Sequence, residues 1–149
     1  MGNTPAVYTI GYEGWQLDDV VARLREQRVE VLIDIREKPA SRKPGFSKTP
    51  LREALEDAGI EYVHVKELGS PSAIRYEYKS GGNKDSFFRA YRASSLKTQV
   101  DQLRTVLDAA REKTCCLMCL ERHAMDCHRS AVSDLLKKLD GNGLRITHL

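Results

Sequence analysis

What the chain has little of narrows its function first. No apolar run among the 149 residues approaches the roughly 18 that a membrane span requires, so nothing is expected to cross a bilayer. The opening residues lack a basic segment followed by an apolar one, and Ala6 stands where a myristoylation signal needs Ser or Thr. Export and lipid anchoring are therefore not expected, and a cytoplasmic protein is. Cysteine is scarce: there are four, two of them adjacent at Cys115 and Cys116 inside an apolar run. That excludes the spaced framework of a secreted disulfide scaffold and favours reduced thiols. Neither sign of charge dominates, since 24 Lys and Arg against 21 Asp and Glu leave +3, short of a footprint that argues nucleic-acid binding by itself. A glycine-rich dinucleotide loop is also missing. Gly11 and Gly14 follow an expected strand but lack the G-x-G-x-x-G spacing, so they read as a tight turn.

What remains is a chain without internal repeats or low-complexity segments, of a length that fits one domain over residues 1–149. Apolar spacing alternates between two periods along it. Residues 7–11 read as a short buried strand, followed by Leu17, Val20, Val21 and Leu24 on one helical face. Residues 29–35 form a second strand pattern that ends in Asp34 and Arg36 before a loop marked by Pro39, Pro44 and Gly45. A second helix is expected with Thr49 as N-cap, Pro50 at its first position, Leu51, Leu55 and Ala58 on one face and Gly59 as its stop. Residues 60–65 then read as a third strand. Residues 66–86 show no periodicity and read as a long loop carrying Arg75, Lys79 and Lys84. Helix is expected from Phe87 onward, most firmly through Val100, Leu103, Leu107 and Ala110, with Ser94 and Ser95 as a point of division. A strand over 115–120, a helix with Val132, Leu135, Leu136 and Leu139 on one face, and a last strand over 144–149 complete the chain. Strands alternating with helices predict an α/β domain: a largely parallel open sheet of about five strands with helices on both faces, Rossmann-like in the broad sense, joined by right-handed crossovers.

Chemistry concentrates between the last of these strands and its helix. Residues 119–129 read Cys-Leu-Glu-Arg-His-Ala-Met-Asp-Cys-His-Arg, which puts thiol, carboxylate, imidazole and guanidinium groups into one turn ahead of a helix N-terminus that attracts anions. In a parallel sheet, Glu13, Asp34, Arg36, Glu121 and Cys127-His128-Arg129 all fall at or just beyond strand carboxyl ends, where one cleft can gather them. Arg36, Arg42 and Arg129, with Lys43 and Lys48 nearby, supply the donors that phosphate and carboxylate oxygens need. The plainer reading pairs these arginines with Asp34, Glu37 and Asp126 or leaves them solvated.

Cys127 lies where a helix dipole and His128 or Arg129 would lower its pKa, which allows a thiolate nucleophile beside a structural or hydrogen-bonding role. The Cys-x5-Arg cradle of thiol phosphatases is absent, because Arg122 is too close to Cys119 and Arg129 too far. Cys116, Cys119, His123, Cys127 and His128 offer soft ligands for zinc, yet Cys116 and Cys119 face opposite ways in a strand and no second well-spaced pair exists. No metal and no cofactor are predicted. Cys115 and Cys116 read as small core residues, and His64 as a satisfied strand histidine.

Several motifs in order bring a family into view. Thr9 to Glu13, Ile33 to Pro39 with Ser41, Arg42, Phe46 and Ser47, the Leu68-Gly69 turn, and Cys119 with Cys127-His128-Arg129 resemble the domain of unknown function 488 family over nearly the whole chain. The resemblance implies a compact bacterial or archaeal α/β domain whose polar site joins the glycine-glutamate motif, the Asp-x-Arg strand end and the Cys-His-Arg turn. It implies no reaction. Where the family's pattern carries His and Ser after the first glycine, this chain has Tyr12 and Glu13.

The reading that follows is an enzyme of unassigned reaction class acting on an anionic, phosphate-bearing substrate such as a nucleotide or nucleic acid. Glu13, Cys127 and His128 are the expected catalytic residues, and Asp34, Arg36, Arg42, Cys119, Glu121 and Arg129 the expected substrate contacts. A second reading is a non-catalytic nucleic-acid or nucleotide-binding module using loops 36–48 and 66–86, with Tyr76, Tyr78 and Phe87 for stacking. A third is a thiol-redox or zinc-holding interaction protein.

Overall fold

A computed structural model describes residues 6–36, 39, 41, 43–65, 68, 100–119, 128–141 and 144–149; of residues 100 and 128–131 it describes the backbone. The expected loop 66–86 and the Phe87 and Ser94-Ser95 region therefore lie outside the described residues, Leu68 apart.

Strand β1 spans Ala6–Gly11, helix α1 Leu17–Glu26, β2 Val31–Asp34, α2 Lys48–Asp57, β3 Glu61–His64, α3 Val100–Glu112, β4 Cys115–Cys119, α4 His128–Asp140 and β5 Arg145–His148. All four strand pairings are parallel, and the order across the sheet is β3-β2-β4-β1-β5. The expected α/β architecture is thus present in a single five-stranded sheet. No described helix is long and apolar enough to cross a membrane.

Among the described residues, one pair of helices packs on each face of the sheet. Ile10, Leu32, Cys116 and Met118 pack with Val20 and Leu24 of α1 and Leu51 and Leu55 of α2. On the other face, Val7, Val31, Ile33, Cys115, Leu117 and Cys119 pack with Leu103, Val106 and Leu107 of α3 and Val132 and Leu136 of α4. The alternation along β4 follows from the two-residue period of a strand. Because β4 is covered on both sides, all five of its residues are fully buried, and a run of Cys, Leu and Met replaces any polar alternation.

Helices α1 and α2 end in the same way. Val29 N–H donates to Leu24 O and Arg28 N–H to Arg25 O; in α2, Ile60 N–H donates to Leu55 O and Gly59 N–H to Glu56 O. This Schellman pattern needs a left-handed residue at its corner, which Gly59 supplies at φ +79° and Arg28 at φ +57°. Each corner turns the chain directly into the next strand. The start of α2 differs from expectation: Ser47 is the N-cap, so Thr49 and Pro50 lie inside the first turn, where proline's missing N–H is tolerated. The strand expected over 29–35 is confined to Val31–Asp34, and Val29 and Ile35 are buried flanks.

Candidate functional site

Strand β2 carries a charge into the sheet. Leu32 and Asp34 both point to the α1/α2 face, and Asp34 is fully buried. An unpaired carboxylate there would be strongly destabilising, so its partners define the local structure. Arg36, two residues on, folds back with Nε 2.9 Å from Asp34 Oδ1 and Nη2 2.7 Å from Oδ2, a bidentate pair at 6% residue exposure. The Arg36 backbone N–H also donates to Oδ1, and the Tyr62 hydroxyl of β3 donates to Oδ2 at 2.5 Å. Both carboxylate oxygens thus accept two hydrogen bonds.

The remaining guanidinium contacts fasten the loop above. Arg36 Nη1 donates to the carbonyl of Phe46 at 2.7 Å and to the hydroxyl of Tyr12 at 3.3 Å. Tyr12 and Phe46 stack with centroids 4.4 Å apart and planes 9° from parallel. The Nε2–H of His64 donates to the Arg36 carbonyl at 2.6 Å, so the histidine is satisfied as expected for a strand position. Ser47 ties the loop to the start of its helix, accepting from Ser41 N–H and donating to Ser41 O. Gly45 makes the closure sterically feasible: at φ +87°, a Cβ there would lie 2.6 Å from Leu17 Cδ2 of α1.

Electrostatics follow the burial. Burial alone would lower the Arg36 pKa, but hydrogen bonding and charge from Asp34 outweigh it and the net shift is upward. Tyr62 is raised above its ordinary value by burial and by the Asp34 carboxylate it donates to. Cys115, far from this cluster, is pushed up to about 11 by burial and by Glu30 and Glu61.

The strand register sets which exits are neighbours. Gly11 stands opposite Cys119, and Tyr12 N–H donates to the Cys119 carbonyl at 3.1 Å. Asp34 stands opposite Met118, whose carbonyl accepts from Ile35 N–H. The carboxyl ends of β2, β4 and β1 are therefore adjacent; the Asp34–Arg36 pair and Tyr12 share the α1/α2 face of this row, whereas the Cys119 side chain packs on the α3/α4 face. Glu13 is exposed. Arg42, Glu121 and Cys127 lie outside the described residues, and His128 and Arg129 are described only as backbone in the first turn of α4. Cys119, the last residue of β4, is disulfide-bonded, where the sequence reading expects reduced thiols; Cys115 and Cys116 are free.

Sequence reasoning omitted Tyr12 and Tyr62 from the site, although both hydroxyls bond directly to the ion pair. Tyr62 on its strand reads as core and Tyr12 just past β1 as part of a turn, and nothing in either spacing shows a buried carboxylate at the end of β2.

The chain leaves adjacent strands toward opposite faces. After β1 it runs to α1 on one side, and after β4 to α4 on the other. Such a parting of connections opens a crevice at the strand carboxyl ends, the usual ligand position in open α/β sheets. A family model described as "Domain of unknown function DUF488" matches residues 16–136, a span that takes in Asp34, Arg36, Cys119 and the start of α4 but not β1 or Glu13. No curated protein and no solved structure matches the chain.

Proposed function

The chain belongs to the domain of unknown function DUF488 family, and from that premise we propose a cytoplasmic enzyme that acts on a phosphate-bearing substrate, a nucleotide or nucleic acid, in the crevice between β1 and β4. One observation carries this reading. The chain parts to opposite faces after two adjacent strands, and the parting segments are those whose sequence holds Glu13 and residues 119–129. In this reading Arg42 and Arg129 hold phosphate oxygens, Arg129 with help from the N-terminus of α4. Glu13 or His128 moves the proton. Glu121 and Cys119 border the ligand, and Cys127 orients the segment or acts as nucleophile. Asp34 and Arg36 form the rigid floor, since their hydrogen-bonding capacity is almost entirely committed to one another and to the loop.

The test is a thermal-shift panel of nucleotides, sugar phosphates and short oligonucleotides at low salt, run on wild type, Arg42→Ala and Arg129→Ala. A stabilising ligand that either variant loses supports the phosphate site, and full binding by both variants overturns it. For any hit, Glu13→Gln is expected to abolish turnover while preserving most binding. Binding that falls steeply with salt, without turnover and without sensitivity to Glu13, would assign the crevice to a non-catalytic nucleic-acid or nucleotide-binding module instead.

A further inference from the structure

The cation that sequence reading puts first at this site is poorly placed to meet a ligand. Arg36 is almost fully buried, and four of its five guanidinium N–H donors are taken by Asp34, Tyr12 and Phe46. Lys43 is placed differently on both counts. Its backbone is fixed, with its N–H donating to Ser41 Oγ and its carbonyl accepting from Phe46 N–H. From there the side chain reaches back over the sheet, and its Nζ lies 5.6 Å from the Phe46 ring centroid and 3.4 Å from the carbonyl oxygen of Tyr12, the residue leaving β1.

An ammonium has three N–H donors, and one is directed at that carbonyl. Among the described residues no carboxylate pairs with Lys43. A half-buried cation steadied by a carbonyl dipole and an aromatic face, with donors to spare, is set to receive an anion.

We propose that Lys43 is a further cation that contacts the ligand, beside Arg42 and Arg129, binding one phosphate group that arrives over the exit of β1 with the stacked Tyr12–Phe46 pair beneath it. This rests on the preceding reading that the ligand carries phosphate. Arg36 is then a positioning residue, holding through Tyr12 and the Phe46 carbonyl the surface on which Lys43 lies.

The experiment is calorimetric titration with inorganic phosphate and pyrophosphate at low ionic strength, on wild type, Lys43→Gln and Lys43→Arg. Lys43→Gln is expected to weaken binding about 10- to 100-fold, as for loss of a charge-assisted hydrogen bond, whereas Lys43→Arg retains most of it. The urea midpoint of both variants should match wild type. Wild-type binding that Lys43→Gln leaves unchanged overturns this inference and leaves the phosphate reading intact. Absence of wild-type binding overturns both. A second measurement needs no variant: pyrophosphate should protect Lys43 of the wild-type protein from acetylation, read by peptide mass spectrometry, and equal labelling with and without pyrophosphate counts against the assignment.

Discussion

Asp34 shows how much one buried charge dictates. Its carboxylate accepts from Arg36 three times and from Tyr62 once, so removing a single partner leaves charge stranded away from water. Arg36→Met is therefore expected to lower stability by about 3–5 kcal/mol in urea unfolding. The double change Asp34→Asn/Arg36→Met should recover a large part of that loss, and a strictly additive double variant would mean that the pair is not coupled. The raised pKa of Tyr62 has a signed consequence. The folded hydroxyl stays protonated at pH values where the unfolded one ionises, from its ordinary 10.0 upward, so its contribution is complete below pH 10 and is lost as pH climbs above it. Cys115 acts with the same sign between its ordinary 9.0 and about 11. Unfolding midpoints should fall steadily from pH 9 upward. Tyr62→Phe should start lower and fall less above pH 10, and a flat wild-type profile would contradict both assignments. At this scale the sequence showed that Asp34 and Arg36 carry charge at a strand end. The plainer reading, an arginine paired with Asp34, holds for Arg36, whereas the burial of the pair follows from the loop that Tyr12 and Phe46 close over it.

Most elements were legible from apolar spacing, and their boundaries less so. Leu17, Val20, Val21 and Leu24 mark the face of α1, and Val20 and Leu24 are its buried residues. The stop of α2 is legible because Gly59 marks it. The equal stop of α1 was silent, because an arginine occupies the left-handed corner. That asymmetry is measurable. Arg28→Gly should raise stability by about 0.5–1 kcal/mol through relief of the left-handed backbone, and Gly59→Ala should lower it by a similar amount. Gly45→Ala should cost more than Gly59→Ala, because Gly45 combines positive φ with Leu17 at 2.6 Å, whereas nothing lies within 4 Å of a Cβ at Gly59. Chemical denaturation of the three variants checks the order, and a Gly45→Ala protein as stable as wild type would show that the loop can shift away from α1.

Strand order was beyond the sequence, since periodicity reports burial and not which strands are neighbours. Register supplies it, and with it a gradient of protection. Amides of β4 and β1, each hydrogen-bonded on both sides, should exchange slowest with deuterium, ahead of the edge strands β3 and β5. Faster exchange in β4 than in β5 would contradict this order. The catalytic proposal depends on the same placement, because it rests on β1 and β4, whose chains leave to opposite faces, lying side by side. That placement also bears on synthesis. The first half of the polypeptide to emerge holds β1, β2 and β3, yet β1 and β2 have no contact across which to pair until the segment 115–119 has been made and slipped between them. A ribosome partway through this message therefore carries three strand edges that the finished sheet seals, one on β2 and both on β1, the kind of surface that recruits other strands. Folding waits for the fourth strand, so the nascent chain is most exposed to aggregation and chaperone capture just before its centre arrives.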